Sequence, residues 1–164
     1  MQKDRKLISI VAVLFVFLCI QVPSSAWAEG SSPLKVVKNF AQAYFMLDPS
    51  MTEYLSKAAL MTEGEVDTTK LYLEMKAAEA HNQGHNISYF RMHPIIIKTT
   101  VLSMDDSSAK VELTATTIRN INPLYRIVGF VFGLLQEHEV HGIIPVIKED
   151  GEWKIGPGAI DMPQ

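Results

Sequence analysis

Cysteine is nearly absent from this sequence: Cys19 is the only one in 164 residues, and it lies inside the apolar run Leu7 to Ile20. The chain beyond that run holds no thiol, which excludes disulfides, cysteine nucleophiles and cysteine metal sites there. Long apolar runs are lacking as well. Leu7 to Ile20 is about 14 residues, short of the roughly 20 that a membrane-spanning helix needs. No surplus of positive charge exists either, with 15 basic against 18 acidic residues.

What the short run does fit is an export signal. Gln2-Lys3-Asp4-Arg5-Lys6 forms a basic head, Gln21 to Ser25 a polar exit, and Ala26-Trp27-Ala28 the A-x-A pattern that signal peptidase cuts after. Leu18 stands where a lipoprotein signal needs a small residue before its cysteine, so lipidation of Cys19 is not expected. The expected organisation is therefore a signal peptide over 1–28 and a single domain over 29–164, periplasmic or secreted. Losing Lys3, Asp4, Arg5 and Lys6 leaves 12 basic against 17 acidic residues, a net charge of −5 before histidine. Charge then draws this domain to neither nucleic acid nor anionic lipid, since phosphate binding depends on clustered Lys and Arg. No stable membrane span is expected after signal cleavage.

The 136 residues from Glu29 on suit one domain with a core of its own. Ser32-Pro33 is a capped helix start. Behind it Val36, Val37, Phe40, Ala41, Tyr44 and Phe45 recur at helical spacing, until Asp48-Pro49-Ser50 ends the pattern. A second short helix is expected over Met51 to Ala59, burying Tyr54, Leu55 and Ala58, and Thr62-Glu63-Gly64 reads as a turn. Asp67 or Thr68 caps a third helix with Leu71, Met75 and Ala78 inward, and Gly84 stops it.

From Ile87 the period changes to two. Ile95, Ile97, Thr99 and Val101 alternate with Ile96, Lys98, Thr100 and Leu102; a turn at Met104 to Ser107 follows, then Ala109, Val111, Leu113 and Ala115 alternate with polar residues. A further strand runs from Gly142 to Lys148, and Glu149-Asp150-Gly151 turns it back into Glu152 to Ile155. Residues from Gly156 on read as a loose end. Helices followed by an antiparallel meander of about four strands make an α+β domain with the helices on one sheet face.

The N-terminal amphipathic helix, the short second helix, and paired strands closing on Val146-Ile147-Lys148-Glu149-Asp150-Gly151-Glu152-Trp153-Lys154-Ile155 resemble the nuclear transport factor 2-like superfamily, in particular its small exported bacterial members. That resemblance implies N-terminal helices packed on a curved antiparallel sheet, a cone with an apolar pocket at its open end. The superfamily includes isomerase-, cyclase- and dehydratase-type enzymes beside non-catalytic binding and assembly modules, so the fold does not fix the function. Its enzymes place an Asp–His or Tyr–Asp pair in the cone, and neither maps onto this chain residue by residue.

If Lys98 and Lys148 point to solvent, alternation turns the odd-numbered strand positions inward. Arg91, His93, Glu139 and His141 would then meet at one end of the cone, with Tyr44 and Trp153 completing a ligand pocket; Ile95, Ile97, Val111, Leu113, Glu137 and Ile143 belong to the same inward set. Groups gathered in an apolar cavity acquire separated pKa values, as acid–base chemistry requires. The competing reading makes Gln136 to His141 an exposed strand end, or places a bulge near Pro145 that flips the register. His81 and His85 have the spacing of a helical metal pair, but Gly84 lies between them and they read as a solvated helix end. Alternation separates His138 from Glu137, Glu139 and His141, and no metal or other cofactor is expected.

Ile127 to Leu135 is nine residues without charge, too short to cross a bilayer. It is either a buried element closing the cone mouth or a surface for self-association, giving a homodimer through Ile127–Leu135, with Gly129 and Gly133 allowing close backbone approach. Two functions remain open. One is a non-catalytic module for a small apolar ligand or a protein partner. The other is a cofactor-free hydrolase, isomerase or cyclase using His93 and His141 with Glu139; a His–carboxylate pair in a closed cavity would mark it.

Overall fold

Helix α1 (Pro33–Phe45) starts where its cap is: the Ser32 hydroxyl accepts from the Lys35 N–H at 3.2 Å. The computed structural model describes residues 32–61, 66–119 and 122–161; the expected signal peptide and the turn at Thr62 to Gly64 lie outside them. Helix α1 ends before Asp48-Pro49. Leu47 takes φ +49°, its N–H reaches the Tyr44 carbonyl and the Asp48 N–H reaches that of Ala43. This double closure normally uses glycine; here a leucine holds the position because its side chain is buried.

The second helical stretch is broken. A 3-10 turn spans Pro49–Tyr54 and a four-residue helix α2 spans Lys57–Leu60, capped by the buried Ser56. Met51, Leu55 and Ala59 face inward, whereas Ala58 is exposed and Tyr54 half-buried. Asp67 caps helix α3 (Thr68–Asn82), and Gly84 at φ +75° follows it. The expected inward face of α3 is corrected: Leu71, Met75 and Ala78 are exposed, Met75 by 62%, and Thr69 and Ala80 are buried instead.

Four strands follow, β1 (Met92–Met104), β2 (Ser108–Arg119), β3 (Glu137–Glu149) and β4 (Glu152–Ile155), antiparallel in the order β1-β2-β3-β4. Helix α4 (Pro123–Val131) interrupts the meander between β2 and β3. The two-residue loop Asp150-Gly151 takes positive φ at both positions, +52° and +86°, which suits the twist of a tight hairpin. The fold is α+β, with α1 packed on one face of an open antiparallel sheet and α4 beside the other face. The early helices and the antiparallel strand order are as expected from the sequence, and α4 is an addition to that order.

The core lies between α1 and the sheet. Val37, Phe40, Ala41 and Tyr44 from α1 join Val111, Leu113 and Ala115 of β2, Val140, Ile144 and Val146 of β3, and Trp153 and Ile155 of β4. The C-terminal segment is anchored as well. Tyr44 donates its hydroxyl to the Ile160 carbonyl at 2.9 Å, and Ala159 is buried.

Candidate functional site

Register decides where the polar groups point. Val111 pairs with Ile144, Leu113 with Gly142 and Ala115 with Val140, so the inward residues of β3 are even-numbered. Glu137, Glu139, His141 and Ile143 therefore stand on the outer face, all exposed. Strand β3 runs through Pro145 without a bulge; the irregularities are in β1, at Ile95 and Leu102. With Ile95 extruded from the ladder, Pro94 pairs with Thr117 on the core face and His93 pairs with Ile118 on the outer face. The bulge thus sends His93 out while Ile97 stays in.

The six residues expected to line one pocket do not do so. Tyr44 and Trp153 are buried in the core, whose helix–sheet interior is filled by aromatic and branched side chains. Arg91 is half-buried ahead of β1, its Nε buried without a hydrogen-bond partner among the described residues. Its positive charge adds to the lowering of the Asp48 pKa, which arises first from the backbone and side-chain hydrogen bonds of Ser50. Glu139 and His141 approach to 3.9 Å, and His141 Nδ1 lies 3.3 Å from the Thr114 hydroxyl. Their side chains are 75% and 64% exposed, so this His–carboxylate pair sits in water on an open sheet. In high dielectric such a pair is weak. His85 lies beyond the end of α3, its ring stacked on Tyr89 at 3.9 Å between centroids, which removes the helical spacing to His81.

A cleft of about 700 Å³ does occur on the outer face, between the sheet and α4. One wall is the row His93, Ile118 and Glu137, one residue from each of three neighbouring strands, with Pro94 and Ile95 beside it. The other wall is Arg126, Ile127, Gly129, Phe130, Gly133 and Leu135. Ile118 is buried although it faces away from the core. His93 and Glu137 flank it at two strand spacings, about 10 Å apart, too far to bond each other. The result is an apolar slot with an imidazole, a carboxylate and a guanidinium on its lining. Alternation alone puts His93 and Glu137 in one inward set and leaves the 127–135 segment apart; the bulge at Ile95, which no local pattern announces, turns His93 to the outer face, where Glu137 and α4 line the same cleft.

The glycines of α4 have separate duties. Gly133, at φ +64°, closes the helix: its N–H meets the Phe130 carbonyl and the Leu134 N–H meets that of Gly129. Gly129 leaves room for Leu135, which a Cβ there would meet at 2.8 Å. They do not form a helix-packing stripe. A second hollow, of about 770 Å³, runs along α3 past Leu71, Tyr72 and Met75 to Ile160. Its charged members Lys76 and Glu79 pair with each other at 3.0 Å.

No family model and no curated protein matches the sequence. Among solved structures, a protein from Xanthomonas campestris named as a calcium/calmodulin-dependent protein kinase II association domain is similar at 16% identity and a TM-score of 0.44, over 73% of this chain and 77% of its own. Likeness at that level fixes neither family nor function.

Proposed function

We propose that the protein is an exported, non-catalytic binding domain of nuclear transport factor 2-like build. Its ligand is a small molecule with an apolar body and a polar or anionic end, held in the cleft beneath α4. The observation that carries this reading is the composition of that cleft. Ile95, Ile118, Phe130 and Leu135 offer apolar walls, while His93 and Arg126 supply hydrogen-bond donors that can fix one end of a ligand. Export rests on the N-terminal pattern, and mass spectrometry of the protein from its host is expected to find an N-terminus at Glu29. The Glu139–His141 pair lies in solvent, which supports binding over acid–base catalysis.

The test uses 1-anilinonaphthalene-8-sulfonate, an apolar fluorophore with an anionic end. Arg126→Gln is expected to weaken its binding about tenfold by removing a charge-assisted contact. Leu135→Trp fills the cleft and is expected to abolish binding, whereas Glu139→Gln leaves it unchanged. Equal fluorescence titrations for the parent, Arg126→Gln and Leu135→Trp would place the dye elsewhere and remove the cleft as a site.

A further inference from the structure

We propose that the cleft beneath α4 selects a ligand that is polar at both ends: an anion at the His93 end and a hydrogen-bond donor, a hydroxyl or an ammonium, at Glu137. This rests on the cleft being the binding site and adds which molecules it prefers. Three side chains of unlike chemistry line it, the imidazole of His93, the guanidinium of Arg126 and the carboxylate of Glu137. None of the three makes a side-chain hydrogen bond or an ion pair with another described residue, so Arg126 and Glu137 do not neutralise each other. An ionised carboxylate only accepts hydrogen bonds and a guanidinium only donates them. Each therefore calls for a different group on the ligand.

Strand register fixes the length of that ligand. His93 and Glu137 both pair with Ile118, one from each side, which sets them about 10 Å apart on one sheet face. Ile118 between them is buried, and Ile95, Phe130 and Leu135 complete an apolar middle. An apolar segment about 10 Å long thus covers Ile118 while its ends reach side chains of unlike kind. Both end residues are exposed, so each polar contact is modest in strength and the discrimination comes from sign. An anion beside Glu137 is repelled and a donor there is attracted. The same logic reversed places the anion at His93, within a cleft whose one guanidinium is Arg126. A volume of about 700 Å³ accommodates a chain of this size.

Isothermal titration calorimetry of the purified protein compares three probes with one eight-carbon skeleton: octanoate, 8-aminooctanoate and octanedioate. At about 1.2 Å of extension per bond, the amino acid holds its two ends about 10 Å apart. The parent is expected to bind 8-aminooctanoate about fivefold more tightly than octanoate, and octanedioate more weakly than octanoate. Glu137→Gln is expected to erase both differences, and Arg126→Gln to weaken all three probes. Glu139→Gln, on the same sheet face but outside the cleft lining, is expected to keep the parent's order. The inference is overturned if octanoate binds as tightly as 8-aminooctanoate, if octanedioate binds best, or if Glu137→Gln keeps the parent's order. If the anilinonaphthalene dye binds in the cleft and none of the three chains does, the selectivity fails while the cleft stands as a site. If Leu135→Trp leaves dye binding undiminished, the cleft fails and the selectivity with it.

Discussion

Lys148 lies over the indole of Trp153, its Nζ 5.7 Å from the ring centroid, and the two are register partners across the β3–β4 hairpin. Lys148 therefore belongs to the same sheet face as Ile144 and Val146, the face that α1 covers further along. It is exposed because it stands at the edge of that layer, where its stem can cross an aromatic ring and its ammonium stay in water.

Trp153 is only 9% exposed and joins the α1–sheet cluster beneath that lysine. Trp153→Ala is expected to cost about 3 kcal/mol, the low end for a buried aromatic, because the rim can partly refill with water and the Lys148 chain. Urea denaturation followed by circular dichroism measures it. A loss under about 1 kcal/mol would mean that the indole contributes little to the core.

Tyr44 ties the segment after β4 to the first helix through its bond to the Ile160 carbonyl. Tyr44→Phe keeps the ring stacked near Phe40 and Tyr72 and removes the donor. About 1 kcal/mol of stability should go with it, together with faster amide exchange around Ala159 to Asp161. Unchanged exchange there would show that packing of Ala159 and Ile160 alone holds the segment.

The β1–β2 turn is organised by one carboxylate. Asp105 accepts from the N–H and hydroxyl groups of Ser107 and Ser108 at 2.7–3.0 Å, and these bonds, led by the Ser108 hydroxyl, lower its pKa to about 2. A folded-state pKa below the unfolded value of 3.8 gives stability that is present above that value and fades as pH falls toward 2. The parent is therefore expected to be more stable than Asp105→Asn at neutral pH, with the difference shrinking between about pH 4 and pH 2. Asp48 and Asp150, also lowered, act alike in both proteins and cancel in the comparison. Denaturant midpoints across that range decide it; a constant difference would assign the effect to something other than ionisation.

The fold was legible because α1 and β2 each present an uninterrupted apolar period with caps or turns at their ends. The site was not, for two physical reasons. Alternation carries no absolute sign, and Lys148 gave the wrong one by being solvated on the core face. The bulge at Ile95 then reversed His93 relative to Ile97 in a run of three isoleucines, where either register buries similar apolar area. The exposure of α4 was hidden for a related reason, since an uncharged nine-residue segment reads equally as buried or exposed until its neighbours are placed.

Gly129 offers the sharpest test of how α4 meets the cleft. An added methyl would lie 2.8 Å from Leu135 Cδ2 and 3.1 Å from its Cγ, so the leucine side chain must move. Alanine improves helix propensity by about 1 kcal/mol over glycine, and displacing a flexible side-chain tip offsets part of that gain. Gly129→Ala is expected to leave global stability within about 1 kcal/mol of the parent. The displaced Leu135 has the cleft to move into, since both residues line it. Affinity for 1-anilinonaphthalene-8-sulfonate should accordingly fall about tenfold. Unchanged dye affinity together with raised stability would mean that Leu135 yields away from the cleft, and that the wall beneath α4 is set by Ile118 and Phe130 instead.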